Sequence, residues 1–321
     1  MFKTSVTERL GIRYPLIGGT MMHITDANFV AAISEAGGLG ILASAIYRSK
    51  QEFGAAIDRT RRLTDKPFAV NINLFPAMQP IDNNEYTDVL LDRNVKIVET
   101  SGHSAPEELS KRWKDARITW IHKCVGVRYA RKAASLGADM VTVVGYENGG
   151  ATGKLDIGTL VLVPSVVDAI DVPVIGGGGV SDGRGLLALL ALGAGAAIVG
   201  TRVMATKECP LHPDLKQALV NASETDTMLV MRSIGATHRV WANPAATRLA
   251  DLDRRGATLE EILDVASGEK AKTMFFQGDL EAGMISCGQG VGLVKDIPTV
   301  RELFERMMKE AEQTARILAA D

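Results

Sequence analysis

The sequence predicts a (β/α)8 barrel, the TIM-barrel class, with a mostly helical cap domain inserted after strand eight. Short β-rich segments alternate with amphipathic helical ones up to residue 200. Eight such strands can be counted, enough to close a barrel. Beyond the eighth the rhythm stops, and one strongly amphipathic segment ends the chain.

The strands are expected near 15–19, 39–43, 67–74, 96–100, 118–122, 139–144, 172–176 and 196–200. Helical patterns fill the gaps at 26–36, 51–63, 106–114, 127–136, 159–170 and 183–192. The runs LGADMVTVV and LGAGAAIVG each pass from a helix end into a strand, as quasi-equivalent barrel units should. A doubly wound open sheet also alternates strand and helix, but the strand count favours the closed form. Residues 208–293 read as helical or irregular, so the barrel is assigned to 1–207 and 295–321 and the cap to 208–294. Segment 299–320 places Val300, Leu303, Phe304, Met307, Met308, Ala311 and Ile317 on one face and is expected to be the last barrel helix.

Thirty-six basic against 38 acidic residues give a net charge of −2, which provides no global field for nucleic acid or an anionic membrane. A small-molecule partner is expected instead. Cys124, Cys209 and Cys287 lie far apart, forming neither a CxxC motif nor a disulfide framework. The N-terminus has no apolar core of signal-peptide length, and no later stretch could span a bilayer, so a cytoplasmic location is expected. A homodimer is compatible with the sequence, which does not determine the oligomeric state.

The most informative stretch is VPVIGGGGVSDGRGLLALLALGAGAAIVGTR. Gly176, Gly177, Gly178 and Gly179 follow strand seven, and Gly200-Thr201 ends strand eight. On the C-terminal face of a barrel, backbone amides from these neighbouring loops can converge on one phosphate. Neither loop has the GxxxxGK[ST] pattern, and the quartet does not open a first βα unit as a dinucleotide fingerprint would. A monophosphate such as that of FMN fits best. No HExxH, CxxC or carboxylate cluster suggests a metal.

Seven ordered motifs extend this picture: YPLIGGTM, AGGLGILA, KPFAVNINL, IHKC, GYENGGATG, the GGGGVSDGRG and GTR clamp, and CGQGVGL. Over nearly its whole length the chain resembles the nitronate monooxygenase-like (2-nitropropane dioxygenase-like) FMN family, which includes FMN-dependent enoyl reductases and NADH:quinone reductases. ATKECPLHP and LVMRS resemble the quinone reductase branch most closely. The resemblance implies that Gly19, Thr20 and Met21 approach the flavin ring, with Asn71 and Lys123 beside it. Gly177, Gly178, Gly179, Gly200 and Thr201 would hold the phosphate, Gly150 would lie in the loop after strand six, and Ser286 and Gln289 would cover the cofactor. It also implies that Lys123 supplies a cation stabilising the reduced ring. A strand-end turn for Asn71 and a solvated lysine for Lys123 are the competing readings.

The chain also departs from the family. Relatives carry a histidine in a GGHxG-like loop after strand six, where this chain has Gly149-Gly150-Ala151-Thr152-Gly153. Alanine cannot exchange a proton. Val144 stands where relatives often have an acid, and Thr20 replaces a glycine. His23, on the expected active face, is the leading catalytic substitute, with a plain loop residue as the alternative. His122 is expected to point into the barrel wall, His103 could face the site, and His212 and His238 fall in the cap.

The implied activity passes hydride from NAD(P)H through FMN to a quinone-like or activated-alkene acceptor. The long polar segment 74–86 is a candidate nicotinamide contact. Two alternatives remain open: oxidation of alkyl nitronates with O2, and a flavin-free isomerase or lyase using the clamp for a phosphorylated substrate.

Overall fold

The computed structural model describes residues 2–75, 82–102 and 104–320. Eight parallel strands form the barrel: β1 (Leu16–Gly18), β2 (Gly40–Ala43), β3 (Phe68–Asn73), β4 (Ile97–Ser101), β5 (Thr119–Cys124), β6 (Met140–Val144), β8 (Val174–Gly177) and β9 (Ala196–Val199). Their spatial order is β1-β9-β8-β6-β5-β4-β3-β2. A parallel bridge between Ile17 and Leu39 closes the ring. There the Gly18 amide donates to the Leu39 carbonyl at 3.0 Å, and the Leu39 amide to the Leu16 carbonyl at 3.0 Å. The expected TIM barrel is therefore present.

The period-two alternation of each strand divides its side chains between the barrel interior and the helical layer. Ile17, Ile41, Ala69, Ile97, Ile121, Met140, Ile175 and Ala196 form an apolar interior, together with Val6 and Leu10 of α1 (Ser5–Leu10). One pleat further toward the strand C-termini, the inward positions become polar: Asn71, Glu99, Lys123 and Thr142. The intervening residues, such as Val70, Val98, Trp120 and Val141, pack against the outer helices. The site therefore begins where the apolar filling ends.

The outer layer consists of α2 (Ala27–Glu35), α3 (Lys50–Leu63), α4 (Asn83–Asp92), α5 (Glu107–Asp115), α6 (Val127–Ser135), α7 (Thr159–Val167) and α8 (Gly183–Ala191). Segment 74–86 is thus not a loop throughout, because Asp82 caps α4 and Asn83–Tyr86 are helical. Residues 76–81 of that segment, and His103, lie outside the described residues. The short α9 (Thr201–Met204) follows β9 directly.

The segment expected to form the cap contains α10 (Pro213–Asn221), α11 (Pro244–Arg254), α12 (Leu259–Val265) and α13 (Gly268–Lys272). It also contains two strands that the helical-or-irregular reading missed, β10 (Thr227–Val230) and β11 (His238–Trp241). They pair antiparallel, and β11 pairs in turn with β7 (Gly150–Ala151), the loop after β6. The run Met228–Met231 is apolar enough to suit either a helix or a strand; cross-strand partners decide it. Val230, Val240, Leu249 and Ile262 share a small separate core.

The C-terminal helix α14 (Val300–Leu318) starts at a capping box between Thr299 and Glu302. It packs against α8 and α2 as the last barrel helix. Gly183 permits the close approach, since a Cβ there would overlap the Met307 carbonyl. Ile317, read as part of the buried face, is 73% exposed. Among the described residues no helix is long and apolar enough to cross a membrane. The three cysteines are free and buried.

Candidate active site

Glu99, Asn71, Thr20, Ser101 and Lys123 meet at the C-terminal mouth of the barrel. Glu99 sits on β4, fully buried, in register with Asn71 on β3. The Thr20 hydroxyl donates to Glu99 Oε2 at 2.9 Å, and Asn71 Nδ2 donates to the same oxygen. Asn71 Nδ2 also donates to Ser101 Oγ at 3.1 Å. Lys123 Nζ lies 3.3 Å from Glu99 Oε1, with the lysine side chain 22% exposed. Lys123 belongs to β5 itself rather than following it, so its inward direction is set by the strand pleat.

Sequence reasoning did not single out Glu99. It is one acid in the run IVETS, and its burial follows from its alignment with Ile97 on the inward side of β4. It also accounts for Thr20: the hydroxyl at this position reaches the interior carboxylate.

A second cluster of backbone forms the adjacent corner. Gly19 links the two: a Cβ there would stand 3.5 Å from Gly200 Cα, while the next residue, Thr20, reaches Glu99. Gly178 and Gly179 adopt φ of 108° and 74°, the left-handed range that glycine enters without a Cβ penalty. The amides of Gly178, Gly179, Gly200 and Thr201 have no hydrogen-bond acceptor among the described residues. A Cβ added at Gly200 would meet nothing within 4 Å. Packing among the described residues therefore does not explain the glycine. Unpaired amides around an open cradle suit an anionic group such as a phosphate.

The segment 286–293 is stitched to this corner. The Gly288 amide donates to Thr201 Oγ1 at 2.9 Å and the Gln289 amide to the Glu147 carbonyl at 3.0 Å. Ser181 Oγ donates to the Gly290 carbonyl at 2.8 Å. Ser286 bridges Val240 of β11 and lies beside Gly150, where a Cβ would be 3.3 Å from Ser286 Oγ. Gly177 lies at the end of β8, below the clamp turn, and its carbonyl accepts the Gly145 amide at 3.0 Å.

The histidines separate by environment. His23 has φ of 67° and is half-buried against the cap: a Cβ at Gly268 of α13 would come 3.4 Å from its Nε2. Burial, then Lys272 and Arg48, lower its pKa. No hydrogen bond among the described residues joins His23 to the Glu99 cluster. Met21 beside it closes the turn by accepting the Ile24 and Thr25 amides. His122 points away from the mouth, with Nδ1 2.8 Å from Thr100 Oγ1, and burial takes its pKa down to about 4. His212 caps α10 by accepting the Asp214 amide.

His238 holds the position of greatest interest, directly opposite Ala151 in the β11–β7 pairing. Opposed residues in an antiparallel pair project from the same face. Its Nδ1 is 2.7 Å from the Ala236 carbonyl. A carbonyl only accepts, so Nδ1 carries the hydrogen and Nε2 keeps its lone pair. Burial lowers the pKa of the ring, the carbonyl opposing that effect less strongly. Among the described residues no group of three or more His, Cys, Asp or Glu could hold a metal ion.

Comparison with known proteins places the chain in a family. A dehydrogenase of Rhodococcus jostii, named for (3aS,4S,5R,7aS)-5-hydroxy-7a-methyl-1-oxo-octahydro-1H-indene-4-carboxyl-CoA, is 32% identical over 355 residues, covering 99% of this chain and 98% of the relative. FabK from Thermotoga maritima superposes with a TM-score of 0.90 at 32% identity, covering 99% of both chains. A nitroalkane oxidase from Streptomyces ansochromogenes superposes with a TM-score of 0.85 at 25% identity, covering 98% of this chain and 99% of that one. The family profile described as nitronate monooxygenase matches residues 3–310, and the chain belongs to the nitronate monooxygenase family of oxidoreductases.

Proposed function

We propose that the chain is an FMN-dependent oxidoreductase that takes hydride from NAD(P)H and delivers it to a quinone-like or activated-alkene acceptor. The supporting observation is that the amides of Gly178, Gly179, Gly200 and Thr201 are unpaired among the described residues, with open space beside Gly200. These four would hold the cofactor phosphate. Gly19, Thr20, Asn71 and Lys123 would border the ring, with Gly150, Ser286 and Gln289 on the cap side. Bound there, the flavin supplies hydride exchange at its N5 position.

The remaining chemistry belongs to side chains of this protein. Lys123 presents an ammonium group at the mouth, where it offsets negative charge arriving on a bound ligand. Ala151 has no proton to exchange, and the imidazole opposite it, His238, offers Nε2 as acceptor or, once protonated, as donor. The apolar filling beneath Asn71 and Lys123 would exclude water from the floor of the site.

Mass spectrometry of cofactor released from purified protein tests the assignment, with FMN expected. FAD, a sugar phosphate or a colourless protein would overturn it. Anaerobic reduction by NADH and by NADPH, followed by an acceptor screen, then tests the activity. The screen should include acyl-CoA thioesters, since a relative covering the whole chain is named for one. The likeness to a nitroalkane oxidase favours a second reading, oxidation of alkyl nitronates with O2, and oxygen uptake with preformed nitronates separates it from the first.

A further inference from the structure

Glu99 is fully buried, accepts hydrogen bonds from Thr20 after β1 and Asn71 on β3, and forms an ion pair with Lys123 on β5. We propose that Glu99 is the positioning residue of the mouth, holding Lys123 in place and deciding which end of Asn71 faces a ligand. An ionised carboxylate can only accept, so every neighbour must turn a hydrogen toward it. Asn71 turns its amide nitrogen to Glu99 Oε2 and to Ser101 Oγ, which consumes both N–H groups and leaves Oδ1 as its free end. Thr20 spends its single hydrogen on Glu99 and leaves lone pairs. Lys123 faces Oε1 as a charge at 3.3 Å and keeps its N–H groups for a ligand.

The mouth therefore offers two acceptors and one cationic donor, and Glu99 sets that pattern from beneath. Among the described residues Glu99 Oε1 has no hydrogen-bond partner, so the nearby ammonium of Lys123 is its compensation. Removing one member of a buried ion pair leaves the other uncompensated, which destabilises more than removing both. The inference rests on the proposed flavin site only for which ligand meets this pattern. The pairing itself is a property of the chain without cofactor.

The test uses flavin-stripped full-length protein. Lys123→Met leaves a lone buried carboxylate and is expected to melt below the double variant Lys123→Met/Glu99→Gln. In a second measurement, Glu99→Gln is treated with acetic anhydride and the modified lysines are quantified by mass spectrometry. Lys123, released from the carboxylate, is expected to be acetylated at least about tenfold faster than in the wild type, while Lys3 and Lys66 on the surface react unchanged. A purely structural role would not produce that site-specific change. A double variant no more stable than Lys123→Met overturns the proposal, as does an unchanged acetylation rate at Lys123. Absence of FMN from the purified protein would overturn the cofactor assignment and leave both measurements valid.

Discussion

His238 on β11 and Ala151 on β7 are direct cross-strand partners, so a cap strand brings an imidazole to the alanine in the loop after β6. The neighbouring pair, Arg239 with Gly150, fixes the register. Arg239 strengthens it by donating from Nε to the Tyr146 carbonyl at 3.1 Å and stacking 4.4 Å over the Tyr146 ring.

If His238 handles the proton, His238→Ala is expected to slow turnover of substrates that need proton transfer by about 10² or more. Preformed nitronates, already deprotonated, should be much less affected. In the wild type the base is lost as pH falls through its folded pKa, which burial places below the ordinary imidazole value. The acid limb of kcat/KM should therefore lie below that value and vanish in the variant. Equal losses with both substrate types would assign His238 a packing role only.

The clamp glycines should divide into two groups. Gly200→Ala adds a methyl that meets nothing within 4 Å, so apoprotein stability is expected to hold while FMN affinity falls. Gly178→Ala forces a Cβ onto Thr159 Oγ1 at φ of 108°, and is expected to cost about 1–3 kcal/mol of stability. Gly179→Asp places a carboxylate beside Glu147 and should lower occupancy strongly. Urea unfolding with and without cofactor, together with flavin titration, distinguishes these outcomes.

His122 should make the barrel acid-sensitive. Its folded pKa of about 4 lies below the ordinary 6.5, so the unfolded chain binds the proton more readily. The contribution is complete above pH 6.5 and disappears as pH falls toward 4. Its size is roughly 3 kcal/mol. His122→Gln should show a flatter loss of stability between these limits in urea unfolding series, and an unchanged slope would assign the acid sensitivity elsewhere.

Asn243 ties the cap together. Its Oδ1 accepts the Ala246 amide at 2.8 Å, and its Nδ2 donates to the Leu280 and Gly283 carbonyls at 2.7 and 2.8 Å. Asn243→Ala removes the α11 cap and strands buried carbonyls, at an expected cost of about 3 kcal/mol. Hydrogen exchange should rise in α11 and near Leu280 while the barrel strands stay protected.

Much of this protein was determined by short-range pattern. Strand alternation, the glycine turns after β8 and β9, and the Thr299–Glu302 capping box are local features, since each depends on residues a few positions apart. Asn71 and Lys123 were legible through the family resemblance, and the pleat of β3 and β5 explains why both point inward. Tertiary structure alone decided the partners. Glu99 in the run IVETS carries no local mark; it became the hub when the closed ring aligned β4 beside β3 and β5 and the turn after β1 reached over them. His238 met Ala151 only through the pairing of two short strands distant in the chain, and His23, expected on the active face, lies beside α13 with a left-handed backbone. Such contacts arise from ring closure and cross-strand register, which are set by the whole chain's packing and are therefore invisible to any local window of residues.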